Sequence, residues 1–239
     1  MKLAFFGSGA MGRATQERAL ADGHTVGAVF RSSDAGLGAA ALATRLAGYD
    51  AALDFSVASG VPTHVAACVR AGVPLVVGTT GWQDTEAAVR RQVEQSGGAL
   101  LFGANFSVGV NLFYRLVDRA GELFGAQGGF DAFIEEAHHR HKRDAPSGTA
   151  LALGRTLRPH LRRDVPIAST RAGDIPGIHR VGFDAGVDQV VLTHVARSRA
   201  GFAAGALLGA RWLAGRAGVF AFAEVLDDLL RFDREERAP

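Results

Sequence analysis

Cysteine is nearly absent. Cys68 is the only one in 239 residues, so no disulfide can form within the chain, as expected of a reducing compartment. Lysine is almost as scarce: of 26 cationic residues only Lys2 and Lys142 are lysines and 24 are arginines. An excess of one charge is missing too. The net charge is +2, with no long basic tract of the kind that follows a nucleic-acid backbone. Long apolar runs are also lacking. Leu3–Phe6 gives way to glycines at once, too short a run for a signal peptide or a membrane span, and later apolar stretches are broken by Arg, Gly or Asp. These absences exclude a disulfide scaffold, a nucleic-acid binder and a membrane protein. A soluble cytoplasmic protein is the expectation.

What remains is enough for a core. Hydrophobic residues make up 48% and charged residues, mixed in sign, only 21%, which rules out a disordered chain. Apolar runs at Leu3–Phe6, Thr25–Phe30, Ala51–Phe55, Pro74–Val77 and Ala99–Phe102 alternate with helical patterns at Arg13–Ala21, Ala39–Leu46, Ala66–Arg70 and Thr85–Gln95. Strands apolar on both faces and separated by helices predict a parallel sheet covered on both sides. After Asn105 the rhythm changes. Val108–Phe124 reads as a helix, Phe130–Ala137 as a strand and Ser147–Leu161 as a helix. Thr170–Gly173, Gly177–Asp184 and Gln189–Arg197 follow as a meander, and Ala203–Ala214 and Val219–Leu230 as helices. The expected class is α/β. A Rossmann-like doubly wound parallel-sheet domain over 1–107 and 212–239 carries an inserted α+β, mixed-sheet domain over 108–211. The tail Asp233–Pro239 is expected to fray.

Gly7, Ser8, Gly9, Ala10, Met11 and Gly12 lie between the first strand and the first helix. In a dinucleotide loop the first glycine allows the tight turn, the second admits a pyrophosphate to the backbone, and the third lets helix and strand pack closely. The helix N-terminus adds a partial positive charge. The alternative is an ordinary tight turn. An acid that holds the adenosine ribose belongs about 20 residues further on. Here Phe30 is followed by Arg31, Ser32 and Ser33, and the next acid, Asp34, is placed in the turn pointing to solvent. Arg31, with the hydroxyls beside it, suits the 2′-phosphate of NADPH. NADPH is the expected cofactor, with NADH also accepted. In the alternative, Arg31 is a solvated loop arginine that permits both.

Three of the eight histidines, His138, His139 and His141, share the segment Glu136–Asp144 with Lys142. A metal site, a solvated basic loop and an anion site with acid–base groups compete for it. The cations Arg140, Lys142 and Arg143 argue against a metal, and none is expected. The next segment favours the anion site. Asp144-Ala145-Pro146-Ser147-Gly148-Thr149 reads as a helix start, capped by Ser147 or Asp144, with open amides beside Lys142 and Arg143. Histidine suits proton transfer near neutral pH, and the whole segment suits a substrate with more than one carboxylate.

The run from Glu136 to Lys142, followed by Asp144 to Ala150, resembles the signature of the dihydrodipicolinate reductase family. Asp54-Phe55-Ser56, Gly78-Thr79-Thr80-Gly81, Asn105 to Asn111, Arg171-Ala172-Gly173 and His194 to Gly205 resemble further family segments, in order along nearly the whole chain. The resemblance implies reduction of a small cyclic imine dicarboxylate by NADPH or NADH on the way to diaminopimelate and lysine. It also implies a homotetramer built through the second domain. It assigns the acid/base role to His138, and proton donation and substrate binding to Lys142. His139 and the segment Ser147, Gly148, Thr149 would hold the carboxylates. Gly78, Thr79 and Thr80, with Gly103, Ala104, Asn105 and Phe106, would border the nicotinamide end of the cofactor. The glycine loop is one residue shorter than is usual in the family, and Arg31 stands where an acid is often found. These departures bear on cofactor preference, not on the reaction.

The remaining candidates read as structural. Trp82, Trp212 and most phenylalanines are expected in the core. His24, His64, His160 and His194 are scattered, Cys68 lies in an apolar helix, and Asp54 ends a strand where a turn role competes with a site role. The strands between Thr170 and Arg197 are rich in Val, Leu, Ile and Phe with few helices to cover them, so a partner subunit is the expected cover. A dicarboxylate-specific amino-acid dehydrogenase and a non-catalytic nucleotide sensor are the rival functions. Neither accounts for the whole His138–Thr149 block.

Overall fold

A computed structural model describes residues 1–236. The chain divides into two compact units, Met1–Val108 with the chain from Ala200 onward, and Gly109–Arg199. The first unit opens with β1 (Lys2–Phe6), α1 (Ala10–Ala21), β2 (Thr25–Phe30), α2 (Ala39–Leu46), β3 (Ala51–Asp54), α3 (Val61–Ala71), β4 (Leu75–Val77), α4 (Gln83–Gln95) and β5 (Ala99–Phe102). The second unit contains α5 (Val108–Gln127), β6 (Asp131–His138), α6 (Gly148–Leu161), β7 (Ile167–Arg171), β8 (Ile178–Asp184) and β9 (Gln189–Val195). The chain then returns through α7 (Ala200–Leu213), β10 (Gly218–Ala221) and α8 (Leu226–Glu236).

The first sheet is parallel throughout, in the order β10-β5-β4-β3-β1-β2. Alternation along each strand feeds two cores. Leu3, Phe5, Leu53, Val76 and Leu101 pack with α7 and α8, whereas Ala4, Phe6, Ala52, Leu75 and Leu100 pack with α2, α3 and α4. Each large side chain so buried stabilises the fold by about 1.5–3 kcal/mol. The register places the last residues of five strands side by side: Phe6 beside Phe30 and Asp54, Asp54 beside Val77, and Val77 beside Phe102. The loops that follow therefore emerge along one edge of the sheet, where open α/β folds bind ligands.

The second sheet is mixed, in the order β7-β6-β8-β9. It is not the simple meander expected from sequence. Helix α6 is a crossover between β6 and β7, so these two pair in parallel, whereas β6, β8 and β9 are antiparallel neighbours. Ile134, Val181 and Phe183 on one face pack against Phe113 and Val117 of α5 and Leu153 and Leu157 of α6.

Two further expectations are corrected. The second unit ends at Arg199 rather than 211, because α7 packs on the first sheet. A Cβ at Gly205 would lie 1.8 Å from the Phe106 carbonyl oxygen and one at Gly209 would lie 2.5 Å from Leu101 Cδ2, so only glycine lets this helix approach. The Val219–Leu230 helix is instead β10 followed by α8. Val219, Phe220 and Ala221 are claimed by the open edge of β5. Of the tail expected to fray, 233–236 continue α8, and 237–239 lie outside the described residues. Among the described residues no helix is long and apolar enough to cross a membrane.

Candidate active site

Strand β6 puts Glu136 and His138 on the same face, two residues apart. The ladder sets Glu136 opposite His179 of β8 and beside Ser169 of β7, with His138 beside Arg171. All this polar chemistry is inside: Glu136 is 2% exposed, His138 8%, Ser147 2% and His179 4%. A buried carboxylate is costly unless it is fully paired. Glu136 meets that condition. Arg171 donates to both of its oxygens, from Nη2 to Oε1 at 2.6 Å and from Nη1 to Oε2 at 3.0 Å. The Ser147 N–H donates to Oε1 at 3.2 Å, and His138 Nδ1 hydrogen-bonds to Oε2. Burial alone would raise the carboxyl, but hydrogen bonds from Arg171, Ser169 and His138 outweigh it and hold Glu136 at about 2. Burial pushes His138 below the ordinary histidine range against the pull of Glu136, with Lys142 and Arg171 pushing the same way as burial. Burial and the neighbouring His138 and His194 take His179 down to about 4.

Helix α6 begins at this cluster. Ser147 is its N-cap, its hydroxyl accepting from Ala150 N at 3.2 Å and lying 3.3 Å from His179 Nε2. The Ser147 side chain is thus spent on the cap, and the exposed part of the helix end is Gly148. Lys142 lies alongside, paired with Asp144 at 2.8 Å. Asp144 is held below the usual carboxylate range by Lys142 and by the backbone of Gly148 among its partners. Ammonium and helix amide therefore already converge on one carboxylate, of the chain's own. His139 is partly buried, its ring 6.3 Å from that of His141, and the Thr149 hydroxyl pairs with Tyr114. Glu136, His138 and His179 bring possible metal-ligand atoms within 4.8 Å of one another. Both Glu136 oxygens are, however, already committed to Arg171, His138 and Ser147.

In the first unit the three glycines of the loop differ in their surroundings. Gly7 has φ +96°, and a Cβ on it would lie 2.3 Å from the Phe55 carbonyl oxygen. A Cβ on Gly12 would lie 2.5 Å from the Gly7 carbonyl oxygen, whereas Gly9 faces open space and leaves the start of α1 without a side-chain cap. Turn, close packing and open approach thus fall on the three glycines expected to supply them. Ser8, Gly9 and Ala10 form the accessible rim, and Met11 is half-buried. Arg31 and Ser32 are exposed at the end of β2. Asp34 lies in the surface turn as expected, but its carboxylate is paired. Its carboxylate caps the Arg31 N–H at 2.8 Å and pairs with Arg45 at 2.7 Å.

At the ends of β3 and β4, Asp54 is wholly buried and accepts from Ser56 N, Ser56 Oγ and Thr79 Oγ1 at 2.6–2.9 Å, with His64 Nδ1 at 2.7 Å. Thr79 therefore faces inward, and Thr80 is the exposed hydroxyl beside Gly78. After β5, Gly103 and Ala104 lead into Asn105, whose side chain accepts from Ser107 N at 2.9 Å. Phe106 is a core residue, edge-on to Phe222 at 4.8 Å.

Residues 1–106 match the family described as dihydrodipicolinate reductase, N-terminus, and residues 109–226 match dihydrodipicolinate reductase, C-terminus. The chain belongs to the dihydrodipicolinate reductase family. The 4-hydroxy-tetrahydrodipicolinate reductase of Chromobacterium violaceum is 40% identical over 220 residues, 83% of this chain and 78% of that protein. The enzyme of the same name from Christiangramia forsetii is 34% identical over 194 residues, 76% of this chain and 81% of its own. In fold, the chain is similar to a dipicolinate-bound dihydrodipicolinate reductase from Paenisporosarcina sp. TG-14, with a TM-score of 0.77, 20% identity, and coverage of 92% of this chain and 97% of that one.

Three participants in the buried cluster were not assigned roles from the sequence. Glu136 and Arg171 lie in the segments that resemble the family without a role of their own, and His179 lies in none of them. For Glu136 the signal is its spacing of two from His138 on a strand. Arg171 and His179 come into range only through the pairing of β6 with β7 and β8.

Proposed function

We infer that this protein reduces 4-hydroxy-tetrahydrodipicolinate to tetrahydrodipicolinate with a reduced nicotinamide dinucleotide, in the pathway to diaminopimelate and lysine. The observation that carries the reading is the junction of a buried, carboxylate-held histidine with a lysine and a helix N-terminus at the end of β6. A reduced nicotinamide supplies a hydride. The loop Gly7–Gly12, Arg31 and Ser32, the Gly78–Thr80 segment and the backbone from Gly103 to Phe106 would hold that cofactor. Going from 4-hydroxy-tetrahydrodipicolinate to tetrahydrodipicolinate replaces the 4-hydroxyl by hydrogen, taking up one hydride and one proton and releasing one water; Lys142 would supply that proton while its charge meets a substrate carboxylate. His138, held neutral at pH 7 by its burial, accepts and returns protons as the general base and acid. His139 and the amides of Gly148 and Thr149 receive the carboxylates. The substrate carboxylate takes over the ammonium that Asp144 holds in its absence.

NADPH is the proposed preference, with NADH also used, because a guanidinium rather than a free acid follows β2. A homotetramer through the second unit is proposed because Val191 and Val195 on the open face of β9 remain 41% and 51% exposed. The cytoplasm is the proposed setting, in keeping with Cys68 as a buried thiol whose pKa burial pushes well up. Pyridine-2,6-dicarboxylate, a planar dicarboxylate, tests the site by calorimetry. It should bind the parent and bind Lys142→Ala at least about tenfold more weakly, the loss expected for one charge-assisted contact of about 1.5–3 kcal/mol. Equal binding to both would remove Lys142 from the carboxylate site.

A further inference from the structure

We propose that Glu136, clamped by Arg171, is a positioning residue that fixes the proton of His138 on Nδ1 and ties that ring to the amino end of α6. The proposal rests on His138 being the acid/base group. Glu136 is ionised and can only accept, so the shared hydrogen bond puts the His138 proton on Nδ1 and leaves Nε2 as the nitrogen with a free lone pair. Gly177 keeps that nitrogen uncovered: a Cβ there would lie 3.2 Å from His138 Nε2. The other carboxylate oxygen receives the Ser147 N–H, the first amide of the helix end read as the carboxylate receptor. One side chain therefore references the proton-transfer group and the substrate anchor to each other. Arg171 keeps it in place by bonding both oxygens, and is itself tied to the loop through Nη2 and the Asp144 carbonyl at 2.6 Å.

A buried carboxylate used only for stability could be an amide. Here an amide would change the chemistry. Glutamine has one acceptor oxygen, and Arg171 would claim it, turning the NH2 toward His138. The ring would then accept at Nδ1 and carry its proton on Nε2, the wrong nitrogen for a base. The charges facing His138 give a second consequence. Glu136 on its own strand raises its pKa. Lys142 from the following loop and Arg171 from β7 lower it, and His179 of β8 stands 5.1 Å away, ring to ring. Removing Glu136 must lower the His138 pKa, and removing the Arg171 charge must raise it.

The experiment compares Glu136→Gln, Arg171→Gln and His138→Gln with the parent full-length protein. It uses nitrogen NMR of the histidine rings and the pH profile of kcat/KM. In the parent the His138 proton should be found on Nδ1. In Glu136→Gln it should move to Nε2, with kcat down at least about tenfold and as much as about 10,000-fold, the range for loss of a ring-orienting partner. KM for the imine should change by no more than about threefold, as for an interaction that acts mainly in the transition state. The acid limb should shift to lower pH in Glu136→Gln and to higher pH in Arg171→Gln, a pair of opposite movements that loss of packing does not produce. If Glu136→Gln does not fold, the upward shift in Arg171→Gln decides alone. An unmoved ring proton with unmoved acid limbs overturns the positioning role. If His138→Gln keeps full kcat, the acid/base reading itself fails, whatever the ring NMR shows.

Discussion

His138 and Lys142 are four residues apart, yet their surroundings differ in kind. The His138 side chain is 10% exposed and fixed by a carboxylate, whereas the Lys142 side chain is 24% exposed and pairs with Asp144. The first is built for one geometry and the second for exchange of partners. Lys142→Arg keeps the charge but replaces a compact ammonium with a planar cation that does not give up its proton. That variant should lose at least about 100-fold in kcat/KM, the lower bound for a lost proton donor, when assayed with the imine. Activity near that of the parent would reduce Lys142 to an electrostatic contact. At the far end of the cofactor site, Arg31→Ala should lower the NADPH-to-NADH ratio of kcat/KM by about 10- to 100-fold, the equivalent of one charge-assisted pair. An unchanged ratio would make Arg31 a solvated loop residue. The types and order of these side chains were legible in the sequence, but their orientation was not. Thr79, Ser147 and Phe106 are expected from the sequence to border ligands; in the fold their side chains bond Asp54, cap α6 and pack in the core, because a hydroxyl or ring beside such a loop turns inward when a buried partner is within reach, so any ligand contact falls to their backbone.

At the scale of elements, the order of strands and helices through 102 followed from alternating apolar runs and was found largely as expected. The departures share a cause. Val219–Ala221 is a short apolar run that suits helix or strand, and only the vacant edge of β5 decides between them. The position of β7 likewise depends on the α6 crossover and not on anything local to Ile167–Arg171. The β6–β8 pairing has a measurable consequence for acid stability. His179 titrates at about 4 in the fold against 6.5 for a free ring, chiefly because it is buried. A lowered histidine pKa means that the unfolded chain binds the extra proton first, so stability falls as pH drops from 6.5 toward 4 and levels off below. Two to three pKa units correspond to about 3 kcal/mol. Glu136, lowered from 4.5 to about 2, withdraws further stability over that lower window. Thermal melts from pH 7 to 4 should show Tm falling over the upper window in the parent and falling clearly less in His179→Gln. Parallel curves for the two proteins would assign the acid sensitivity elsewhere.

For the whole molecule, the division into two units is the main organising fact, and the location of the return was missed by one helix. An all-round apolar helix such as α7 suits either unit from sequence; its glycines, which admit Phe106 and Leu101, commit it to the first. The second unit covers one face of its sheet with α5 and α6 and leaves Phe133, Val191 and Val195 on the other, among Glu135, Arg180 and Thr193. The exposed valines on that face are the basis for the proposed contact with a second copy. Light scattering at micromolar concentration should give about four times the 25.0 kDa chain mass, and a stable monomer would refute the tetramer. The most direct measurement of the whole account is turnover. The purified protein is supplied with the cyclic imine generated in situ by the preceding synthase, and oxidation of NADPH and of NADH is followed. The account predicts imine-dependent oxidation of both, faster with NADPH, and abolished to within about 1% by His138→Gln. Cofactor binding without imine-dependent oxidation would contradict it.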